Sequence, residues 1–142
     1  MFSQIDLRSQ EVVKEEDLKD MPEPVQKWLR RSGMVGKRKL ILGKVYQNAE
    51  MKLKPDQDKW FKASAVQYSS LEIPGFIWTV DVKMNLLMFF SGRDRFDGGK
   101  GEMLILLNAL FPIVDEKGEK LDEGSLQRFL GEMVWFPSLA LN

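Results

Sequence analysis

Between Phe76 and Met84 the residues Phe76, Trp78, Val80, Val82 and Met84 take every second position, while Thr79, Asp81 and Lys83 fill the gaps and only Ile77 breaks the polar set. Side chains alternate across a strand, so this order dictates one buried and one wet face. Five large apolar groups on one face need strands on either side and a layer above them, which excludes a helical bundle and calls for a covered sheet.

The flanking segments supply those strands. From Leu40 to Lys54, Ile41, Val45, Ala49, Met51 and Leu53 are apolar, whereas Lys44, Asn48, Glu50, Lys52 and Lys54 are polar, again with period two. A turn at Pro55-Asp56-Gln57-Asp58 leads to Lys59–Tyr68, where both parities are partly apolar, as in a central strand. Asn85 permits a reversal into Leu86–Phe96, with Met88, Phe90 and Phe96 on one parity and Arg93 and Arg95 on the other. Asp94 falls on the apolar parity, where a carboxylate is costly unless paired. Asp97-Gly98-Gly99-Lys100-Gly101 lacks the spacing of a phosphate loop and reads as a hairpin turn. Met103–Leu110 is an apolar run broken only by Asn108, either a buried strand or a short helix; Phe111-Pro112 ends it, and 115–120 reads as a polar loop.

Helices are expected at both ends. Pro22 and Pro24 fit a first turn, Met21, Val25, Trp28 and Leu29 line one side, and Gly33 fits the position just past the end. Arg30 and Arg31 lie in the last turn and form a basic cluster with Lys27, Lys37, Arg38 and Lys39, which helix-end charge explains. Near the C-terminus, Leu126, Phe129, Leu130, Met133 and Val134 recur at helical spacing, predicting an amphipathic helix over Glu123–Val134 capped by Asp122 or Ser125 and stopped by Pro137. The expected fold class is therefore α+β: an N-terminal helix and a curved, half-barrel-like antiparallel meander of four or five strands, covered by the C-terminal helix. Residues 1–20 read as a charged, loosely ordered tail and 21–142 as one α+β domain.

Composition narrows the chemistry. Lys plus Arg and Asp plus Glu number 21 each, so no net field attracts nucleic acid, and no nucleic-acid motif is present. With no cysteine and no histidine, thiolate nucleophiles, disulfides, the commonest general base and the commonest transition-metal ligand are all absent. Neither a metal nor a cofactor is expected. No apolar run reaches membrane-span or signal-peptide length, so the expectation is a cytoplasmic protein.

Several motifs are family-like: Pro24-Val25-x-x-Trp28-Leu29; Pro74-Gly75-Phe76-x-Trp78; Arg93-Asp94-x-Phe96-x-Gly98-x-x-Gly101-x-Met103; Phe111-Pro112-x-Val114-Asp115; and Glu123-Gly124-Ser125-x-x-Arg128-x-Leu130-x-Glu132-x-x-Trp135-Phe136-Pro137. In their order and spacing the chain resembles an uncharacterised bacterial family of unknown function over roughly residues 20–141. The resemblance implies no reaction, ligand or catalytic residue. It does imply that relatives continue into a second strand-rich half, so that this chain corresponds to the N-terminal half.

Three functional readings follow. The first is a non-catalytic binding module whose concave apolar face takes a small apolar or lipid-like ligand, with Phe76, Trp78, Met88, Phe90, Arg93, Arg128, Phe129 and Met133 as ligand-binding candidates. Lipoprotein-carrier half-barrels offer a fold-level analogy, and the same residues also suit an ordinary core. The second is a carboxylate-based enzyme using Asp94 and Glu132 as acid and base, with Arg93 or Arg128 holding an anionic group. In that region an Arg128 bridge to Asp94 or Glu132 is the plainer structural role. The third is a structural protein that forms a homodimer through an open sheet edge, with the uncharged run Met103–Leu107 as the seam.

Overall fold

A computed structural model describes residues 11–141, except for the side chain of Met133. Helix α1 (Glu23–Arg31) is followed by strands β1 (Leu42–Met51), β2 (Phe61–Ser70), β3 (Gly75–Lys83), β4 (Phe89–Asp97), β5 (Lys100–Leu107) and β6 (Phe111–Lys117). Helix α2 (Glu119–Gly131) comes next, and two 3-10 turns, Glu132–Val134 and Pro137–Leu141, close the chain. The strands form a single antiparallel sheet in the order β1-β2-β3-β4-β5-β6, a curved, open meander. The architecture is α+β, as the sequence predicts.

The strand registers stack inward side chains into rows. One row runs Gly43, Ser69, Phe76, Phe96, Gly101 across β1 to β5, and the next runs Val45, Gln67, Trp78, Asp94, Met103. Beyond them lie Gln47, Ala65, Val80, Gly92, Ile105 and then Ala49, Ala63, Val82, Phe90, Leu107. The first row is closed over by the C-terminal segments. Phe129 of α2 meets Phe96 at 6.0 Å between ring centroids, Phe96 meets Phe76 at 6.1 Å, and Leu71, Phe136 and Leu139 complete this core.

The glycines that end this row are structural. A Cβ on Gly101 would stand 2.6 Å from the backbone oxygen of Leu121, and one on Gly43 would strike the ring of Phe136, so both absences let the covering layer approach the sheet. A second small core, Val13, Leu18, Leu29 and Met34, gathers α1 and the chain before it, with Leu141 packed against it. Val13 and Leu18 fall within the stretch expected to be loose, yet they are buried, and Glu15–Leu18 forms a 3-10 turn. Three of the six basic residues near α1 form ion pairs: Lys27 with Glu23, Arg30 with Glu15 and Lys39 with Glu11.

Four expectations are corrected. The segment 111–117, read as a strand end and polar loop, pairs with β5 as a sixth strand, entered through Asn108 and Ala109 at positive φ and distorted by a register shift between Ile105 and Leu106. As a result Met103–Leu107, expected to be a free seam, is an interior strand, paired on both sides and approached by α2. Helix α2 begins four residues earlier than predicted, after Gly118 rather than at Asp122 or Ser125. Its buried face also differs: Ser125 and Phe129 are buried, whereas Leu126 and Leu130 are about half exposed. Asp122 explains the rotation, since its carboxylate accepts the Gly101 N–H at 2.8 Å and pairs with Lys100 at 2.8 Å, turning that side of α2 onto the β4–β5 hairpin. The Asp97–Gly101 segment holds the hairpin turn that was expected, its two loop residues being Gly98 at φ 57° and Gly99 at φ 78°.

Candidate functional site

The row through Trp78 and Asp94 marks the limit of the covering layer. On one side lies the closed aromatic core; on the other, the concave face forms a cavity of about 620 Å³. Strand β3 lines it with Trp78, Val80, Val82 and Met84, β4 with Phe90 and Gly92, β5 with Met103 and Ile105, and β1 and its following loop with Met51 and Leu53. Alternation makes this wall apolar, because each strand points the same parity inward. Gly92 adds width: opposite Val80 and Ile105 it presents no side chain, and a Cβ there would come within 2.9 Å of Val80.

The inner end of the cavity is polar. Asp94 is 7% exposed, and its Oδ2 accepts a hydrogen bond from Arg128 Nη1 at 2.5 Å. Arg128 also donates through Nε to Glu132 at 3.1 Å and through Nη2 to Gln67 Oε1 at 2.6 Å. Gln67 Nε2 in turn donates to Glu132 Oε2 and to Ser69 Oγ. The guanidinium carbon lies 4.5 Å from the Phe76 ring centroid and 5.3 Å from that of Trp78, so the cation is sandwiched among aromatics as well as acids. Trp78 fixes its own indole by donating to Gln47 Oε1 at 2.8 Å.

Burial pushes the Asp94 carboxyl above its ordinary value, and the Arg128 guanidinium pulls it back only in part. The other oxygen, Oδ1, is buried and accepts no hydrogen bond from the described residues. The cluster can therefore hold α2 on the sheet through one cation shared by two acids, and it leaves one acceptor atom unused.

The predicted site residues are distributed unevenly. Trp78, Phe90, Arg93, Asp94 and Arg128 all line the cavity. Phe76 and Phe129 are buried in the aromatic core behind it, and Met88 precedes β4 in the β3–β4 turn, away from the cavity wall. Glu132 is joined to Asp94 through Arg128 but does not line the cavity. The Met133 side chain lies outside the described residues. Gln67 escaped the sequence reading, although it shares the parity of Phe61, Ala63 and Ala65. Among the described residues no group of three or more acids is placed to hold a metal ion.

A family model described as a family of unknown function, DUF6544, matches residues 11–142. The chain belongs to the DUF6544 family. Comparison with curated proteins and with solved structures found no match. The DUF6544 assignment agrees with the resemblance drawn from the sequence motifs, and within it Arg93-Asp94 and Arg128 form the wall and inner end of the cavity. Among the described residues of this DUF6544 chain, no helix is long and apolar enough to cross a membrane.

Proposed function

We propose that this chain is a non-catalytic binding module that takes a small apolar or lipid-like ligand on the concave face of its sheet. The observation that carries the reading is the cavity of about 620 Å³, which lies within the roughly 300–1,000 Å³ range of small-molecule sites and is walled mainly by Trp, Phe, Met, Val and Ile side chains. The wall is an open, mainly apolar concavity beside a closed aromatic core, and covering such surface is favourable, which supports a ligand. The test is titration with Nile red, a neutral apolar dye. A saturable, single-site rise in its emission is expected from the wild type, and its loss is expected in Ile105→Trp, which fills the cavity from β5. If the folded wild type shows no saturable binding, the reading fails.

The acid–base reading draws less support from the same geometry. Both carboxylates are engaged by one guanidinium, and Glu132 stands behind the cavity wall.

A second reading, self-association, draws on strand β6. This edge strand is paired only with β5, and Leu110 and Phe111 at its start are each more than half exposed. The proposed homodimer would therefore use β6. Light scattering over a tenfold concentration range tests it, with a constant monomer mass as the adverse result.

A further inference from the structure

An antiparallel meander sends its connections alternately to two ends. The β1–β2, β3–β4 and β5–β6 connections share one end, and the β2–β3 and β4–β5 turns share the other with the Gly118 junction. The two ends differ in kind. At the first, Trp60, Leu86, Leu87, Phe89, Leu110 and Phe111 are all exposed, Leu86 and Leu87 at 88% and 80%. At the second, Ile73 is the single exposed large apolar residue in the connections 71–74, 98–99 and 118.

The turn that carries the two leucines is firmly built. Asn85 Oδ1 accepts the N–H groups of Leu87 and Met88, both at 2.9 Å, and the Met88 carbonyl accepts those of Met84 and Asn85. With its backbone satisfied, the turn holds two hydrocarbon side chains out in solvent, where they contribute nothing to the core.

Cations surround this apolar tip. Trp60 and Leu86 share a shallow hollow whose wall holds Lys59, Lys62 and Lys83 and no acid, and none of these lysines is ion-paired with a described residue. The Lys52 ammonium lies 5.2 Å from the Trp60 ring centroid. Over residues 50–62, 83–89 and 107–111 five lysines stand against three acids, Glu50, Asp56 and Asp58, whereas 70–75, 97–101 and 117–119 hold two lysines and three acids. The zero net charge of the whole chain therefore conceals one positive, apolar end.

From this combination we propose that the end carrying Trp60, Leu86 and Leu87 is a docking surface for an anionic lipid bilayer. The three side chains enter the interfacial layer while the surrounding lysines meet lipid phosphates, the pairing of buried apolar area with electrostatic attraction on which peripheral membrane binding rests. A protruding tip suits a fluid layer, which needs no complementary pocket, and long lysine stems let the ammonium groups rise to phosphate level as the leucines sink. The cavity extends to this same end, where Met51, Leu53, Lys54, Gln57 and Met84 line it, so docking would bring it beside the lipid. The docking inference does not require that the cavity be filled.

The experiment is sedimentation of the full chain with vesicles of phosphatidylcholine alone or with about 30% phosphatidylglycerol. The wild type is expected to sediment with the anionic vesicles and about tenfold less with the neutral ones, and raising NaCl from about 0.1 to about 0.5 M should release it. Leu86→Ser/Leu87→Ser and Lys59→Glu/Lys83→Glu should each cut binding about tenfold, whereas Ile73→Ser at the other end leaves it unchanged. All four altered side chains are exposed and none lines the cavity, so folding and Nile red binding without vesicles should persist in both double variants. No sedimentation with anionic vesicles, equal binding to both vesicle types, or wild-type binding by either double variant overturns the inference. A concentration-dependent mass that Leu86→Ser/Leu87→Ser abolishes also overturns it, because the patch would then join two copies of the chain. Nile red binding without vesicle binding removes this inference and leaves the ligand reading standing; vesicle binding without Nile red binding does the reverse.

Discussion

Arg128 and Asp94, 34 residues apart in sequence, meet at 2.5 Å and join helix α2 to the middle of the sheet. The same guanidinium reaches Gln67 on β2, so one side chain ties α2 to two strands with β3 between them. Removing Arg128 strands two carboxylates, whereas removing Asp94 leaves the guanidinium paired with Glu132. Arg128→Met is expected to destabilise by roughly 2–3 kcal/mol, below the roughly 3–5 kcal/mol of a fully buried pair because Arg128 retains solvent contact, and Asp94→Asn by clearly less because Glu132 still pairs with the guanidinium. The double variant should cost clearly less than the sum, as measured by urea denaturation in a double-mutant cycle; strict additivity would rule out the coupling.

Phe76 and Trp78 are sequence neighbours on one strand face, yet they should behave differently. Phe76 is fully buried among Phe96, Phe129 and Leu71, so Phe76→Ala should cost about 3–5 kcal/mol. Trp78 has the cavity on one side, so Trp78→Ala should cost less in stability and more in Nile red affinity. Comparing melting and binding for the two variants checks this; equal losses in both would argue against an open cavity at Trp78.

Asp122 should give α2 a defined response to acid. Lys100 and, after it, the Gly101 N–H hold its carboxyl below the ordinary value of 3.8. A depressed folded-state value means a contribution that is complete above the unfolded value and lost as pH falls through the folded one. Asp122→Asn should therefore lower the melting temperature at neutral pH, and its gap from wild type should close below about pH 4. A gap that stays constant down to pH 2 would exclude this role.

Ala109 occupies φ 57°, where a Cβ is disfavoured by about 1–2 kcal/mol. Ala109→Gly relieves that strain at an entropic cost of about 0.4–1 kcal/mol in the unfolded chain. A net gain of about 0.5–1 kcal/mol is expected, visible as a rise of a few degrees in melting temperature. A fall would mean that the β5–β6 turn is not strained.

Strict alternation made the centre of the fold readable. Phe76–Met84 declared a half-buried strand, and the same parity in the next strand identified Asp94 as an inward carboxylate in need of Arg128. The edges and the helix face were less legible for definite reasons. β6 has no buried face to impose alternation, and Pro112 with Asp115-Glu116-Lys117 imitates a loop. In α2 the apolar stripe predicted which residues would be buried, but the sheet presented a backbone N–H at Gly101 and a carboxylate at Asp94, and the polar residues Asp122 and Arg128 answered them. Gln67 stayed hidden because its strand carries apolar residues on both parities, so nothing identified its inward face.

The nearest-neighbour order of the strands also bears on how the chain assembles. Each hairpin closes a short loop, so the sheet can zip from one turn to the next at little entropic cost. By contrast, Ser138 donates to the Leu40 carbonyl across 98 residues, and Phe136 lies over Gly43. These contacts are among those that close the longest loops in the fold and should form last. Substitutions at Phe136 should therefore speed unfolding while leaving the folding rate nearly unchanged, whereas those in the β3–β4 hairpin slow folding; the C-terminal turn then acts as a latch that sets how long the native state persists.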